Sequence, residues 1–379
     1  MLLEGGSDAR YVSSGHLVYA LEDGLFAVAF DPAALRVTSG PVSMVQGVLR
    51  AGEAASANYA VSGSGTLFFL TGEEATSNPL AWVDRDGGAE VIEAIPPKEY
   101  LWPRLSPDGG RVVVVAKGDL WIFELASGRE SRLTTDGVND YPGCTPSGDA
   151  VTYTSGSGSA AGEIWIRPPD GSGEARQLTS LGGGRVDFYA WAPDGRTFSA
   201  HYHVRGDRRS ATKQLMAAFD GENAVPEIWL DDDHRDHNAV FSPNGNYVAY
   251  LSSQTGQYEV YIRPFPGPGG QTPVSVGGGN EPVWAPSGEI FYRRLRDYTM
   301  MAVAVQTAPK LTVGAPVELF PGRPPRGASP SPRYSVTGDG QRFLMTADAL
   351  ASVDVNPDSG HRFIVVQNWV EELKARVPN

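Results

Sequence analysis

The chain has 379 residues, 41% of them hydrophobic, which is enough apolar side chain for a sizeable core and too much for a mainly disordered polymer. Its 31 Lys and Arg against 44 Asp and Glu leave a net charge of −13; with no basic stripe, this excludes nucleic acid as the expected partner, because phosphate neutralisation needs clustered cations. The single cysteine, Cys144, excludes a disulfide framework within the chain, and no run of 18 apolar residues offers a membrane-spanning helix.

Gly (45) and Pro (29) make up about a fifth of the residues, more than the usual ~12%, which implies many turns between short strands. At the N-terminus, MLLEGGSDAR has neither the basic start nor the apolar core of a signal peptide, so the sequence reads as soluble and without an address. From there one turn recurs eight times: YVSSG (11–15), VSGSG (61–65), LSPDG (105–109), CTPSG (144–148), WAPDG (191–195), FSPNG (241–245), WAPSG (284–288) and VTGDG (336–340). The closing glycines are spaced 39 to 52 residues apart. Pro presets φ at the start of such a turn, and Asp, Asn or Ser followed by Gly supplies the conformations that close it.

The fourth unit shows how a repeat is expected to fold. DYPGC (140–144) forms the innermost strand, AVTYTS (150–155) the second, EIWIRP (163–168) the third and EARQLT (174–179) the outermost. The second and third alternate apolar and polar residues, as a half-buried strand requires. Third strands are expected in every unit, at 25–31, 80–87, 120–128, 164–171, 214–221, 260–267, 300–305 and 362–369, in chain order. Outermost strands follow in the first seven, while VEELKARVP after Trp369 reads as a short amphipathic helix. A repeat of this length built from short strands predicts an all-β propeller of eight four-stranded blades, with seven as the alternative. The expected organisation is one propeller domain over residues 1–369 and a helical tail over 370–379, with Leu2–Gly5 supplying the missing outer strand of the last blade. Four residues before each closing glycine stands an apolar residue (Tyr11, Val61, Leu105, Cys144, Trp191, Phe241, Trp284, Val336), a column expected to pack between neighbouring blades. Cys144 is accordingly read as a small buried apolar residue.

The S/T/A-P-D/N/S-G turn, the I/L-W/Y-I/V third strand and the following R/Q-L-T strand resemble the WD-like repeats of the TolB family, and of propellers attached to prolyl-oligopeptidase-like peptidases. A closer resemblance begins at Phe241: FSPNGNYVAYLSSQTGQYEVYIRPFPGPGG, GGGNEPVWAPSGEIFYR, MMAVAV, RFLM and FIVVQNWVEEL are similar to the C-terminal propeller of bacterial eukaryotic-like serine/threonine protein kinases. The opening EGGSDARYVSSGHLVYALEDGLFAVAFDPAALRVTSGPV is similar to the start of that region, so the resemblance covers nearly the whole chain. In such kinases a cytoplasmic kinase domain and a membrane span precede the propeller, which implies an extracytoplasmic location if this chain is so attached. The chain then reads as a detached propeller or as a fragment starting just after its kinase. His234-Arg235-Asp236 is the one kinase-like triplet, but no downstream Asn or Asp-Phe-Gly and no Gly-rich loop accompany it.

No G-x-S-x-G elbow occurs, so no catalytic residue and no cofactor is expected. Where the blades' innermost strands begin, two columns bring polar groups to one face of the expected channel: Leu101, Asp140, Asp187, His237 and Asn280, then Trp102, Tyr141, Phe188, Asn238 and Glu281. The candidate ligand-binding residues are therefore Asp140, Asp187, His237, Asn280, Glu281 and Tyr141, which either line a pocket or cap strand ends. Within Asp231–His237 the carboxylates and imidazoles offer weak metal candidates, Asp231, Asp233 and His234, although the spacing matches no standard loop. His201 and His203 share a face by the two-residue period, without a third ligand in view. The expected protein is a non-catalytic, monomeric module that binds a protein, peptide or small ligand; the alternatives are a metal-assisted hydrolase or lyase and a propeller gating a peptidase.

Overall fold

In all eight turns the closing glycine has positive φ, between 64° and 90°, and its N–H donates to the carbonyl three residues back, as Gly109 does to Ser106 at 2.8 Å. Only glycine holds that left-handed conformation without strain, so the spacing seen in the sequence is a backbone requirement. The structure, a computed structural model, describes residues 6–378 apart from 22–23, 52–55, 72–77, 157–161, 182–183, 205–211, 231–233, 325–330 and 351–361. The expected strand at Leu2–Gly5 lies outside these residues.

The chain divides into two compact units, Ser77–Val355 and Met1–Thr76 with Asn356–Asn379. Among the described residues the larger unit holds six antiparallel sheets. Sheet I runs Leu101–Leu105, Arg111–Ala116, Asp119–Glu124, Glu130–Arg132; sheet II runs Asn139–Cys144, Val151–Ser155, Glu163–Arg167, Arg176–Gln177. Sheet III follows with Gly184–Trp191, Thr197–Val204, Thr212–Phe219, Ala224–Leu230, and sheet IV with Asp236–Phe241, Tyr247–Ser252, Glu259–Pro264, Thr272–Pro273. Sheet V contains Gly279–Trp284, Glu289–Arg294, Met300–Gln306 and Thr312–Val313, with Val317–Glu318 also on its third strand.

Sheet VI departs from the expected assignment. The hairpin Tyr334–Val336 and Arg342–Thr346 takes Leu80–Asp84 as its third strand and Ala89–Val91 as its fourth, with Trp82 opposite Leu344. In the smaller unit the hairpin Tyr59–Val61 and Leu67–Thr71 takes Arg362–Val366, with Ile364 opposite Phe69. The second and eighth repeats have therefore exchanged third strands. Both segments are short apolar runs, so the letters alone do not assign the hairpin; Leu80, Ala81 and Val83 are buried in sheet VI, whereas Phe363 and Val365 are exposed in the smaller unit.

First strands of sheets I to V are neighbours in sequence order, and that of sheet VI adjoins that of sheet I. Sheet VI meets sheet V where Arg333 N–H donates to Glu281 Oε2 at 3.1 Å and Tyr334 OH donates to the Glu281 carbonyl at 2.7 Å. The larger unit is thus a closed circuit of sheets, in which the exchanged strand 80–84 completes the sheet that joins the last to the first. The remaining two turn-bearing sheets belong to the smaller unit. There Ser7–Val12, His16–Leu21 and Gly24–Asp31 pair in order, and the expected terminal helix forms at Trp369–Arg376, burying Trp369 and Leu373 in that unit's core.

Apolar side chains pack between consecutive sheets of the larger unit: Trp102, Val113 and Ile122 of sheet I against Val151 and Tyr153 of sheet II, and Phe291 and Met300 of sheet V against Phe343 and Met345 of sheet VI. In the expected packing column, Trp191, Phe241 and Trp284 are buried, and Trp191 Nε1–H donates across sheets to Thr152 Oγ1 at 3.1 Å. Tyr11 corrects that expectation, being 52% exposed. Desolvation pushes the Cys144 thiol up to about 11. Native Cys144 is therefore expected to react with a thiol reagent at pH 8 roughly two orders of magnitude more slowly than in the urea-unfolded chain, since only thiolate attacks. Cys144 is half-buried, which corrects the expectation of full burial, and equal rates would remove the desolvation as well.

Candidate functional site

Every first strand of sheets I to V carries a one-residue register shift near its start, between Leu101 and Arg104, Asp140 and Gly143, Phe188 and Ala190, His237 and Val240, and Asn280 and Val283. In four of them the residue after the first polar column is left-handed without being glycine: Trp102 (φ 47°), Tyr141 (48°), Asn238 (53°) and Glu281 (56°). Such a conformation costs of order 1–3 kcal/mol and persists only where the surroundings enforce it. A bulge re-aims the side chains on either side of it. Here it occurs at the position where the sequence places its candidate residues.

Four of those six residues are brought together. Asp140 Oδ2 accepts from Arg185 Nη2 at 2.6 Å, and Arg185 Nε donates to Asp187 Oδ1 at 2.6 Å. The other oxygen of Asp187 lies 3.1 Å from His203 Nε2. The His201 ring sits 4.4 Å from that of His203 and 4.3 Å from that of His237, centroid to centroid. Tyr258 OH then meets His237 Nε2 at 3.0 Å. Tyr141 covers the network from the side, with the Arg185 guanidinium 5.8 Å from its ring centre and Trp102 at 4.7 Å. A run of polar side chains therefore crosses sheets II, III and IV, drawn from their first strands, from the second strand of sheet III and from Tyr258.

Burial sets the electrostatics of this chain. Asp187 is 2% exposed and His201 0%, whereas 41% of the His203 side chain meets solvent. Burial, then the neighbouring His237 and His203 rings, hold the His201 pKa well below its ordinary value; burial, then His203 and Arg235, lower His237 to about 3. Both imidazoles are neutral at physiological pH and keep a lone pair. Neither His201 nitrogen has a hydrogen-bond partner, nor does His237 Nδ1.

Asn280 and Glu281 are placed elsewhere. Glu281 is fully buried, its carboxyl pushed up by desolvation against the pull of Arg293, Arg333 and Arg104, and its Oε1 has no partner. Asn280 Oδ1 is likewise buried without one. The first strands enclose a cavity of about 210 Å³ lined by Arg104, Tyr189, Asn238, Val283 and Tyr334, among others. Burial lowers Arg104 there to about 10. Of the weak metal candidates, Asp231 and Asp233 lie outside the described residues, and His234 is exposed. Among the described residues the group of ligating side chains is Asp187, His201 and His203, with ligand atoms within 4.8 Å of one another. Sequence reasoning found the histidine pair but missed Asp187 as its third member, and missed Arg185 and Tyr258 altogether.

Residues 79–145 match the family described as the dipeptidyl peptidase IV (DPP IV) N-terminal region. A stretch of 111 residues, 29% of the chain, is 33% identical to tricorn protease homolog 1 of Streptomyces coelicolor and spans a tenth of that relative's length. The putative TolB from Agrobacterium tumefaciens superposes with a TM-score of 0.58 at 19% identity, over 73% of this chain and 99% of that one. TolB from Acinetobacter baumannii gives a TM-score of 0.47 at 12% identity, over 88% of this chain and 79% of that one. With many four-stranded antiparallel sheets and one terminal helix, the chain has the all-β fold of a propeller, shared with TolB.

Proposed function

We propose that the chain is a non-catalytic propeller that binds a protein, peptide or small ligand where Asp140, Tyr141, Asp187 and His237 converge, serving as the sensor or scaffold region of a bacterial serine/threonine protein kinase. The supporting observation is the run of polar side chains across sheets II, III and IV, partly open at Asp140 and His203. A rigid scaffold that presents loops and strand ends on one face suits recognition. The kinase attachment rests on the RPFPGPGG and NWVEEL segments.

A second reading, a propeller that gates or feeds a peptidase, draws on the DPP IV N-terminal match and on the resemblance to the tricorn homolog. Co-purification would separate the two, since a kinase or a peptidase chain would be recovered. For the binding site itself the informative variant is Asp140→Asn, because 31% of the Asp140 side chain is exposed and its loss spares the core. Ligands from a peptide and metabolite panel are expected to raise the melting temperature of the native protein and to lose about tenfold in affinity for Asp140→Asn, the scale of one charge-assisted hydrogen bond. Unchanged affinity for every ligand found would move the site elsewhere.

A further inference from the structure

We propose that Asp187, His201 and His203 form a binding site for one divalent transition-metal ion of the zinc class, with a fourth position open to water or to a donor from a ligand. The inference goes beyond the binding role above and stands on geometry. Asp187 and His201 are directly opposed across the hairpin of sheet III, and His203 lies two residues further along the same strand, so all three side chains leave one face. Their ligating atoms fall within 4.8 Å of one another. The separation of 3.1 Å between His203 Nε2 and Asp187 Oδ2 is close to the ~3.3 Å expected between two ligands of a tetrahedral zinc ion with bonds of about 2.0–2.1 Å.

A second observation points the same way. His201 is completely buried, and both of its nitrogens lack a hydrogen-bond partner. A buried polar atom in that state is costly, and coordination removes the cost by giving a lone pair a partner. The donor set also fits: two imidazoles and one carboxylate suit zinc and its first-row neighbours better than calcium or magnesium, which favour oxygen.

Arg185 does not cancel the site. Its guanidinium bridges Asp187 Oδ1 and Asp140 Oδ2, so the two carboxylates and one cation carry a net negative charge. It holds Asp187 with Oδ2 turned toward His203, the positioning role that outer partners play for metal-bound carboxylates. The ion would enter past His203, the exposed member.

The test uses the full chain stripped with chelator and titrated with Zn²⁺ or Co²⁺ alone. One equivalent is expected to bind saturably, with the visible bands of a low-symmetry nitrogen and oxygen site for cobalt. His203→Ala, whose side chain is partly at the surface, is expected to weaken binding by at least about 10–100-fold, while His234→Ala leaves it unchanged. Zinc absorption spectroscopy on the unmodified protein gives an answer that needs no variant: two imidazoles and at least one carboxylate in the first shell. The proposal falls if no saturable binding occurs, if His203→Ala binds as tightly as the native chain, or if the spectrum shows fewer than two imidazoles. Because the probe is the ion alone, this result is independent of whether Asp140→Asn loses any organic ligand.

Discussion

Replacing Phe343 by alanine is expected to destabilise the larger unit by about 3–5 kcal/mol, the range for emptying a large aromatic from a packed core. Phe343 is 0% exposed and makes edge contacts with Phe291 and Phe320 at ring-centre distances of 5.1 and 5.3 Å. It lies on the second strand of sheet VI, opposite Val83 of the exchanged strand, and packs against sheet V. The cavity would therefore open at the junction that closes the circuit. Phe363, on the strand that took the reciprocal place in the smaller unit, is 64% exposed, and Phe363→Ala should stay within about 1 kcal/mol. Urea unfolding of the two variants measures both. A small loss for Phe343→Ala, or equal losses, would contradict the exchange of third strands, because the sequence-based assignment places 362–369 and not 80–87 beside the Phe343 hairpin.

The second large effect concerns charge. Arg185→Met in chelator-treated protein is expected to cost about 3–5 kcal/mol, because it leaves the buried Asp187 carboxylate without its guanidinium. Adding Asp187→Asn should restore more than half of that loss, since the penalty belongs to an uncompensated charge and not to lost packing. Asp140 can turn to solvent and needs no such rescue. If Arg185→Met costs less than about 1 kcal/mol, water reaches Asp187 and the network is a surface feature. The pair of variants also bears on the metal site, because Arg185 fixes which oxygen of Asp187 faces His203.

How far the site could be read in the sequence depends on one residue of register. Counting outward from the WAPDG turn pairs Trp191 with Phe198 and Ala190 with Ser199, and the same count would set Asp187 opposite Tyr202. The bulge between Phe188 and Ala190 removes one step and sets Asp187 opposite His201. A one-residue shift turns a side chain to the other face of a strand, so the carboxylate and the two imidazoles share a face only because of it. Nothing in the letters VDFYAW marks that bulge, since the residues there are neither glycine nor proline. The columns counted from the closing glycines did place Asp140, Tyr141, Asp187 and His237 near one another, because the first strands of sheets II, III and IV bulge at nearly the same point. Asn280 and Glu281 satisfied the same count but do not join them: Glu281 is engaged by Arg333 and Tyr334 of the neighbouring sheet, and Asn280 Oδ1 is buried without a partner.

By itself the sequence determined what is local and repeated. Eight left-handed glycines, the strands on either side of each turn, the burial of Trp191, Phe241 and Trp284, and the helix at Trp369–Arg376 follow from conformational preference and alternation within a few residues of one another. Tertiary structure alone decided which distant strand completes a hairpin and which side chains meet across sheets. Segments 80–84 and 362–366 are both short apolar runs, and their places differ in packing: Leu80, Ala81 and Val83 are buried, whereas Phe363 and Val365 are exposed. The polar run from Asp140 to Tyr258 is of the same kind: Asp140 meets Arg185, Asp187 meets His203 and His201 meets His237 only across strands, and no local preference encodes those meetings.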